Sequence, residues 1–150
     1  MGRMRPSADP EAPAQAFEWI ADADSRLGPV LEAIVNGRYY WVPFRNIRSI
    51  QVEKPTDLRD LVWMPAHLAW ANGGEAVGMI PTRYPGSETS LDNQIRMARK
   101  TEWTDLGGDM CAGQGQRMIA TDAGTVKEVR VEVGQMVDPD TVMIIVDAEV

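Results

Sequence analysis

A chain of 150 residues that is 44% hydrophobic and 25% charged has ordinary soluble composition and enough apolar side chains for one real core. Twenty-two acidic residues against fifteen basic ones leave a formal charge of −7, which argues against nucleic-acid binding, because that needs a basic face. No apolar run reaches the roughly 18 residues of a membrane-spanning helix, which speaks against membrane insertion.

The opening stretch MGRMRPSADPEAPAQA, residues 1–16, is rich in Pro and Ala without periodicity and reads as a flexible arm. It has no apolar core for a signal peptide, and Pro6 stands where a myristoylation motif needs Ser or Thr. The single cysteine, Cys111, cannot form an internal disulfide, so the cytoplasm is the default compartment.

From Phe17 the alternation of Phe17, Trp19 and Ala21 with Glu18 and Ile20 predicts an edge strand ending at Asp22-Ala23-Asp24. Val30 to Val35 and Arg38 to Val42 are apolar and aromatic runs joined by Asn36-Gly37, a tight hairpin signal because both residues tolerate positive φ. Pro43 ends that strand or confines it to an edge. Ile47, Ile50 and Val52 mark a short segment stopped at Lys54-Pro55, and Thr56 to Asp60 can cap a single helical turn. Leu61 to Tyr84 then holds two apolar runs around Asn72-Gly73-Gly74, read as the central hairpin.

Residues 89–101 carry the one predicted helix, about 90–100. Ser90 suits the N-cap, Arg99 and Lys100 suit the last turn, and Leu91, Ile95 and Ala98 form a stripe for a sheet. Asp105 to Gly115, with four glycines, reads as a mobile loop, and Gln116 to Ala120 as a returning strand. Strands, one helix, then strands predict an α+β fold dominated by antiparallel hairpins.

Several phrases resemble the C-terminal half of the ImpE-like proteins, also called TagJ or SciE. They are FEWIADADSRLGPVLEAIVNGRYYWVPF (17–44), PTDLRDLVWMPAHLAWANGGE (55–75), IPTRYPGSE (80–88), ARKTEW (98–103) and GQRMIATDAG (115–124). The resemblance implies a cytoplasmic, virulence-associated accessory protein of type VI secretion systems, without enzymatic activity or cofactor. Some relatives associate with the small sheath subunit and are thought to influence sheath recycling. Relatives normally carry a helical-repeat domain before this region, so residues 17–122 are expected to be the C-terminal domain alone.

Residues 123–147 resemble instead the second half of a biotinyl or lipoyl carrier domain, and their β-branched runs fit a hairpin tail over 123–150. Counting back from Gly124 to the carrier's attachment position lands on Gly113, where there is no Lys. Covalent attachment of biotin or lipoyl is therefore rejected, and a carrier-like protein without an attachment Lys remains the alternative.

Among candidate sites, His67 lies in an apolar run beside Trp63 and Trp70 and could serve as a base or metal ligand. No Cys or second His accompanies it, so a structural role is the commoner reading. A hydrolase using His67 with Asp60 or Glu75 has little else behind it. Asp22, Asp24 and Glu18 could form a carboxylate pair or cation site, or merely a solvated face, the commoner reading. Cys111 has no cation beside it before Arg117, and the Gly107-Gly108 and Gly113–Gly115 pairs lead into a strand and not the helix a phosphate loop requires. Five tryptophans are too many for so small a domain to hide, which suits a binding module. The expected working surface is the aromatic face around Trp63, His67, Trp70 and Tyr84. It would take a protein partner such as the sheath subunit and drive self-association when left open.

Overall fold

The computed structural model describes residues 2–5, 15–52, 55–122, 124–126 and 143–145. Most of the 1–16 arm and of the hairpin tail expected over 123–150 lie outside the described residues.

Asn36 and Gly37 both take positive φ, 51° and 74°, the conformation a two-residue hairpin needs. They join β4 (Val30–Val35) to β5 (Arg38–Pro43) in register from Val35↔Arg38 to Val30↔Pro43. The second hairpin, β7 (Trp63–Trp70) and β8 (Glu75–Pro81), turns at Asn72-Gly73, where the Gly74 amide donates to the Asn72 side chain. Between them β6 (Ile47–Val52) pairs with β7. With β1 (Gly2–Arg5), β2 (Gln15–Phe17) and β13 (Met143–Ile145), these form an eight-stranded antiparallel sheet ordered β2-β1-β13-β6-β7-β8-β4-β5.

Pro65 sits inside β7, a central strand, where a missing N–H ordinarily breaks the ladder. The Trp70 amide donates to Gly74 on the β8 side, and by alternation Pro65 turns its nitrogen toward β6. Its position lies just past Val52, the last residue of β6 in register with β7, at Ala66. The proline therefore removes no bond to β8.

One face of the sheet carries the core. Leu31, Ala33, Val35, Ile47, Ile50, Val52, Met64, Ala66, Leu68 and Ile80 cluster with Phe17 and Phe44, and Trp70 packs against them. Alternation along β4, β7 and β8 selects this face, and in β6 the register shift between Ile47 and Ser49 sets Ile47 on it with Ile50 and Val52.

A three-stranded sheet, β12 (Gly124–Val126), β11 (Ile119–Thr121) and β3 (Ile20–Asp22), and a hairpin of β9 (Thr101–Gly107) with β10 (Met110–Gly115) complete the described strands. The fold is thus mostly antiparallel sheet with one α-helix among the described residues.

Three expectations need correction. The edge strand at Phe17–Ala21 divides between β2 and β3, which belong to different sheets, with Glu18 and Trp19 as the link. The glycine-rich 105–115 stretch is largely paired strand. Only Gly108 and Asp109 lie between the paired strands, and with Gly107 they take positive φ, 61°, 63° and 84°.

The helix is a single turn, α1 (Asn93–Arg96), capped by Asp92 and not by Ser90. It stops because Ala98 adopts φ 54°, letting the Ala98 amide donate to Ile95 and the Arg99 amide to Gln94, a paired closure usually built on glycine. Of the predicted stripe, Ile95 is buried, whereas Leu91 is 97% exposed.

Candidate functional site

Asp22 ends β3, Glu32 lies within β4, and Tyr84 and Arg117 come from the segments after β8 and β10. These four meet in the interior. The Tyr84 hydroxyl donates to Asp22 Oδ1 at 2.7 Å, and the Met118 amide donates back to it at 3.0 Å. All three guanidinium nitrogens of Arg117 donate: Nη1 to Asp22 Oδ2 at 2.9 Å, Nη2 to Glu32 Oε2 at 2.7 Å, and Nε to the Pro81 carbonyl at 2.9 Å. Its guanidinium carbon also stands 5.0 Å from the centre of the Tyr84 ring, a cation–π contact in a dry setting. A planar fork serving three acceptors at once is a task for Arg and not for Lys.

Asp24 builds the adjoining layer. Its carboxylate accepts the Gly113 amide, the Arg26 amide and the Arg26 guanidinium. The Tyr84 ring lies against Gly113, with Trp103 meeting it edge-on at 6.0 Å. Ser87 Oγ accepts the Gly115 amide, and Gly115, at φ 97°, leaves no room for a side chain beside the Lys100 carbonyl.

Electrostatics follow burial. Burial pushes the Asp22 carboxyl above its ordinary range, against the Asp24 amide, Arg117 and Tyr84, which favour its charge. Burial also raises Asp24, yet the bonds from Arg26 and Gly113 outweigh it and hold that carboxyl below the usual range. Burial and the neighbouring Asp22 push the Tyr84 hydroxyl up.

The solvated face expected for Asp22 and Asp24 is therefore corrected: both carboxylates are buried and fully engaged, and of the trio only Glu18 is exposed. Neither Glu32 nor Arg117 stands out in the sequence as a member of such a site. The available signal was a lone acid inside VLEAIV, but its partner lies 85 positions away, beyond any local spacing.

The expected working surface is divided. Trp63 and His67 share the outer face of β7, opposite the core, and Pro65 lies between them, half-buried. Across the strand pair, His67 faces Val77 and Pro65 faces Met79, and Trp63, Val77 and Met79 stay exposed. Trp70 turns to the core side. Tyr84 is corrected outright: it is wholly buried and reaches no surface. Cys111 is half-buried on β10, its amide donating to Ser25 Oγ. Gly113, the carrier's attachment position, is a buried strand residue beneath Tyr84. Among the described residues no group of three or more His, Cys, Asp or Glu side chains could hold a metal ion, and no helix is long and apolar enough to cross a membrane.

Fold and site together define a β-rich module built around one buried ionic knot, with an apolar sheet face turned outward. The chain belongs to the ImpE family: the family model described as ImpE protein matches residues 14–133. It is 56% identical over 114 residues to a type VI secretion system accessory component, TagJ, of Pseudomonas aeruginosa, covering 76% of this chain and 38% of that one. A crystal structure of protein VPA1032 from Vibrio parahaemolyticus superposes with a TM-score of 0.67 at 24% identity, over 83% of this chain and 45% of that one. At that identity the likeness is one of fold. The chain spans less than half the length of either relative.

Proposed function

We propose that the chain is a non-catalytic interaction module of a type VI secretion accessory protein, working in the cytoplasm on a protein component of that machine. The observation that carries this reading is the outer face of β7 and β8, where Trp63, Val77 and Met79 stand exposed side by side around His67. A contiguous apolar patch on rigid strands is the usual mark of a protein-binding surface. The acidic residues that looked most like chemistry, Asp22 and Asp24, are consumed inward by Arg117, Tyr84 and Arg26, which supports a structural part for them. The resemblance to sheath-associated relatives makes the small sheath subunit the partner to test.

The test is capture of purified sheath subunit by the immobilised chain, alone and joined to a preceding repeat domain. Trp63→Ser and Met79→Lys should abolish capture while leaving the thermal unfolding midpoint in place. Undiminished capture by both variants would remove this face from the reading, and no capture in either form would remove the partner.

A further inference from the structure

We infer that β5 is a pairing edge and that its occupant is β5 of a second copy of this chain, in antiparallel register centred on Tyr40. Among the described residues β5 is the last strand of the eight-stranded sheet, with nothing beyond it. The opposite edge, β2, is only three residues long, one of the ways proteins blunt an edge. β5 has six residues, and between Arg38 and Pro43 it presents Tyr39, Tyr40, Trp41 and Val42 with no charge among them. Between its flanking Arg38 and Pro43 this apolar edge is unpaired among the described residues, and such an edge is a template for another strand.

The hairpin fixes which main-chain groups are on offer. Val35 and Arg38 close a two-residue turn, so they form the first hydrogen-bonded pair. Alternation makes Ala33–Tyr40 and Leu31–Val42 the next ones. Tyr39 and Trp41 therefore point both their N–H and C=O away from β4.

A two-fold axis at Tyr40 sets Tyr39 opposite Trp41 of the second copy and Trp41 opposite its Tyr39. Each pair exchanges two bonds, giving four in all. Tyr40 then faces its own counterpart across a non-hydrogen-bonded position, where α-carbons approach to about 4.5 Å. Arg38 falls opposite Val42, so no charge meets a like charge. The run reads aromatic in both directions, as an isologous contact requires. The Trp41 indole N–H already donates to the Tyr39 hydroxyl at 2.7 Å, which holds both rings on the outer face.

Area sets the strength. Tyr39, Tyr40 and Trp41 are 57%, 43% and 57% exposed. With about 200 Å² per ring, they offer roughly 300 Å² per copy. The pair buries on the order of 600 Å² before the strand edges are added, below the ~1,200 Å² of a standard stable interface. The dimer is accordingly weak and concentration-dependent.

This contact uses a strand edge, separate from the β7–β8 face, so the two readings fail independently. Sedimentation equilibrium of the chain should show a reversible monomer–dimer equilibrium. Tyr40→Lys, which sets two ammonium groups face to face, should weaken it by about tenfold or more with unchanged circular dichroism and unchanged partner capture. In a Cys111→Ser background, Tyr40→Cys should cross-link to a covalent dimer under mild oxidation, because the α-carbon spacing suits a disulfide. Arg38→Cys should not, since it lies about 13 Å from its own counterpart at ~3.3 Å per residue. A strictly monomeric chain overturns the inference. So does a dimer indifferent to Tyr40→Lys, or one in which Arg38→Cys cross-links and Tyr40→Cys does not.

Discussion

The Tyr84 ring rests directly on Gly113: a Cβ at Gly113 would stand 2.5 Å from Cε2 and 2.7 Å from Cδ2 of that ring, and 2.9 Å from Cζ3 of Trp103. The Tyr84 ring cannot retreat cheaply. Tyr84 is fixed by Asp22 and Met118 at its hydroxyl, and the chain around it is pinned by the Tyr84 amide on the Gly115 carbonyl.

Gly113→Ala should therefore destabilise the fold by about 1–3 kcal/mol, the range for forcing extra volume into a packed site. Chemical denaturation followed by tryptophan fluorescence reads this directly. A midpoint within error of the parent chain would mean that the ring moves freely.

Arg117→Met should cost about 3–5 kcal/mol, because it leaves Asp22 and Glu32 as buried carboxylates without the cation that pairs them. Arg117→Lys should recover only part of that loss, since one ammonium group cannot reach Pro81, Asp22 and Glu32 together. Full recovery by Lys in urea unfolding would show that charge, and not the three-pronged geometry, is what the site needs.

Asp22 and Asp24 should answer acid in opposite senses. Asp24 titrates lower in the fold than the ordinary 3.8. Its contribution is present above that value and lost as pH falls through the folded one. Asp22 titrates higher in the fold. The native state holds an extra proton just above 3.8, so this group's contribution declines as pH rises through that window. Stability curves from about pH 3 to about pH 7 should show the advantage of the parent over Asp24→Asn shrinking on acidification. The advantage over Asp22→Asn should shrink as pH climbs. An Asp22→Asn difference that widened with pH would reverse the assignment.

The large sheet was legible wherever turn chemistry and period-two burial agreed, as at Asn36-Gly37 and Asn72-Gly73. It was illegible where a residue acted against its type. Ala98 closes the helix in a conformation normally left to glycine, so nothing in the letters marks the stop. Gly113 and Gly115 look like loop glycines, yet they sit in a strand because a ring and a carbonyl press on them. Of the four residues expected on one working face, Trp63 and His67 do share the outer face, as their spacing of four along a strand requires. Trp70, an odd number of positions from both, had to face the core. The knot escaped because its members are drawn from 22, 32, 84 and 117, and only folding makes them neighbours.

Four of the five phrases that mark the family contribute to the packing around Tyr84 or adjoin it: the first supplies Asp22, Asp24 and Glu32, the third Tyr84 and Ser87, the fourth Trp103, the last Gly115 and Arg117. Those letters serve assembly of the interior. The same signature also spells outward-facing residues, Trp63 and His67 in the second phrase and Tyr39 to Trp41 in the first, so a relative that keeps the interior letters but changes these would share the architecture and differ in its companion.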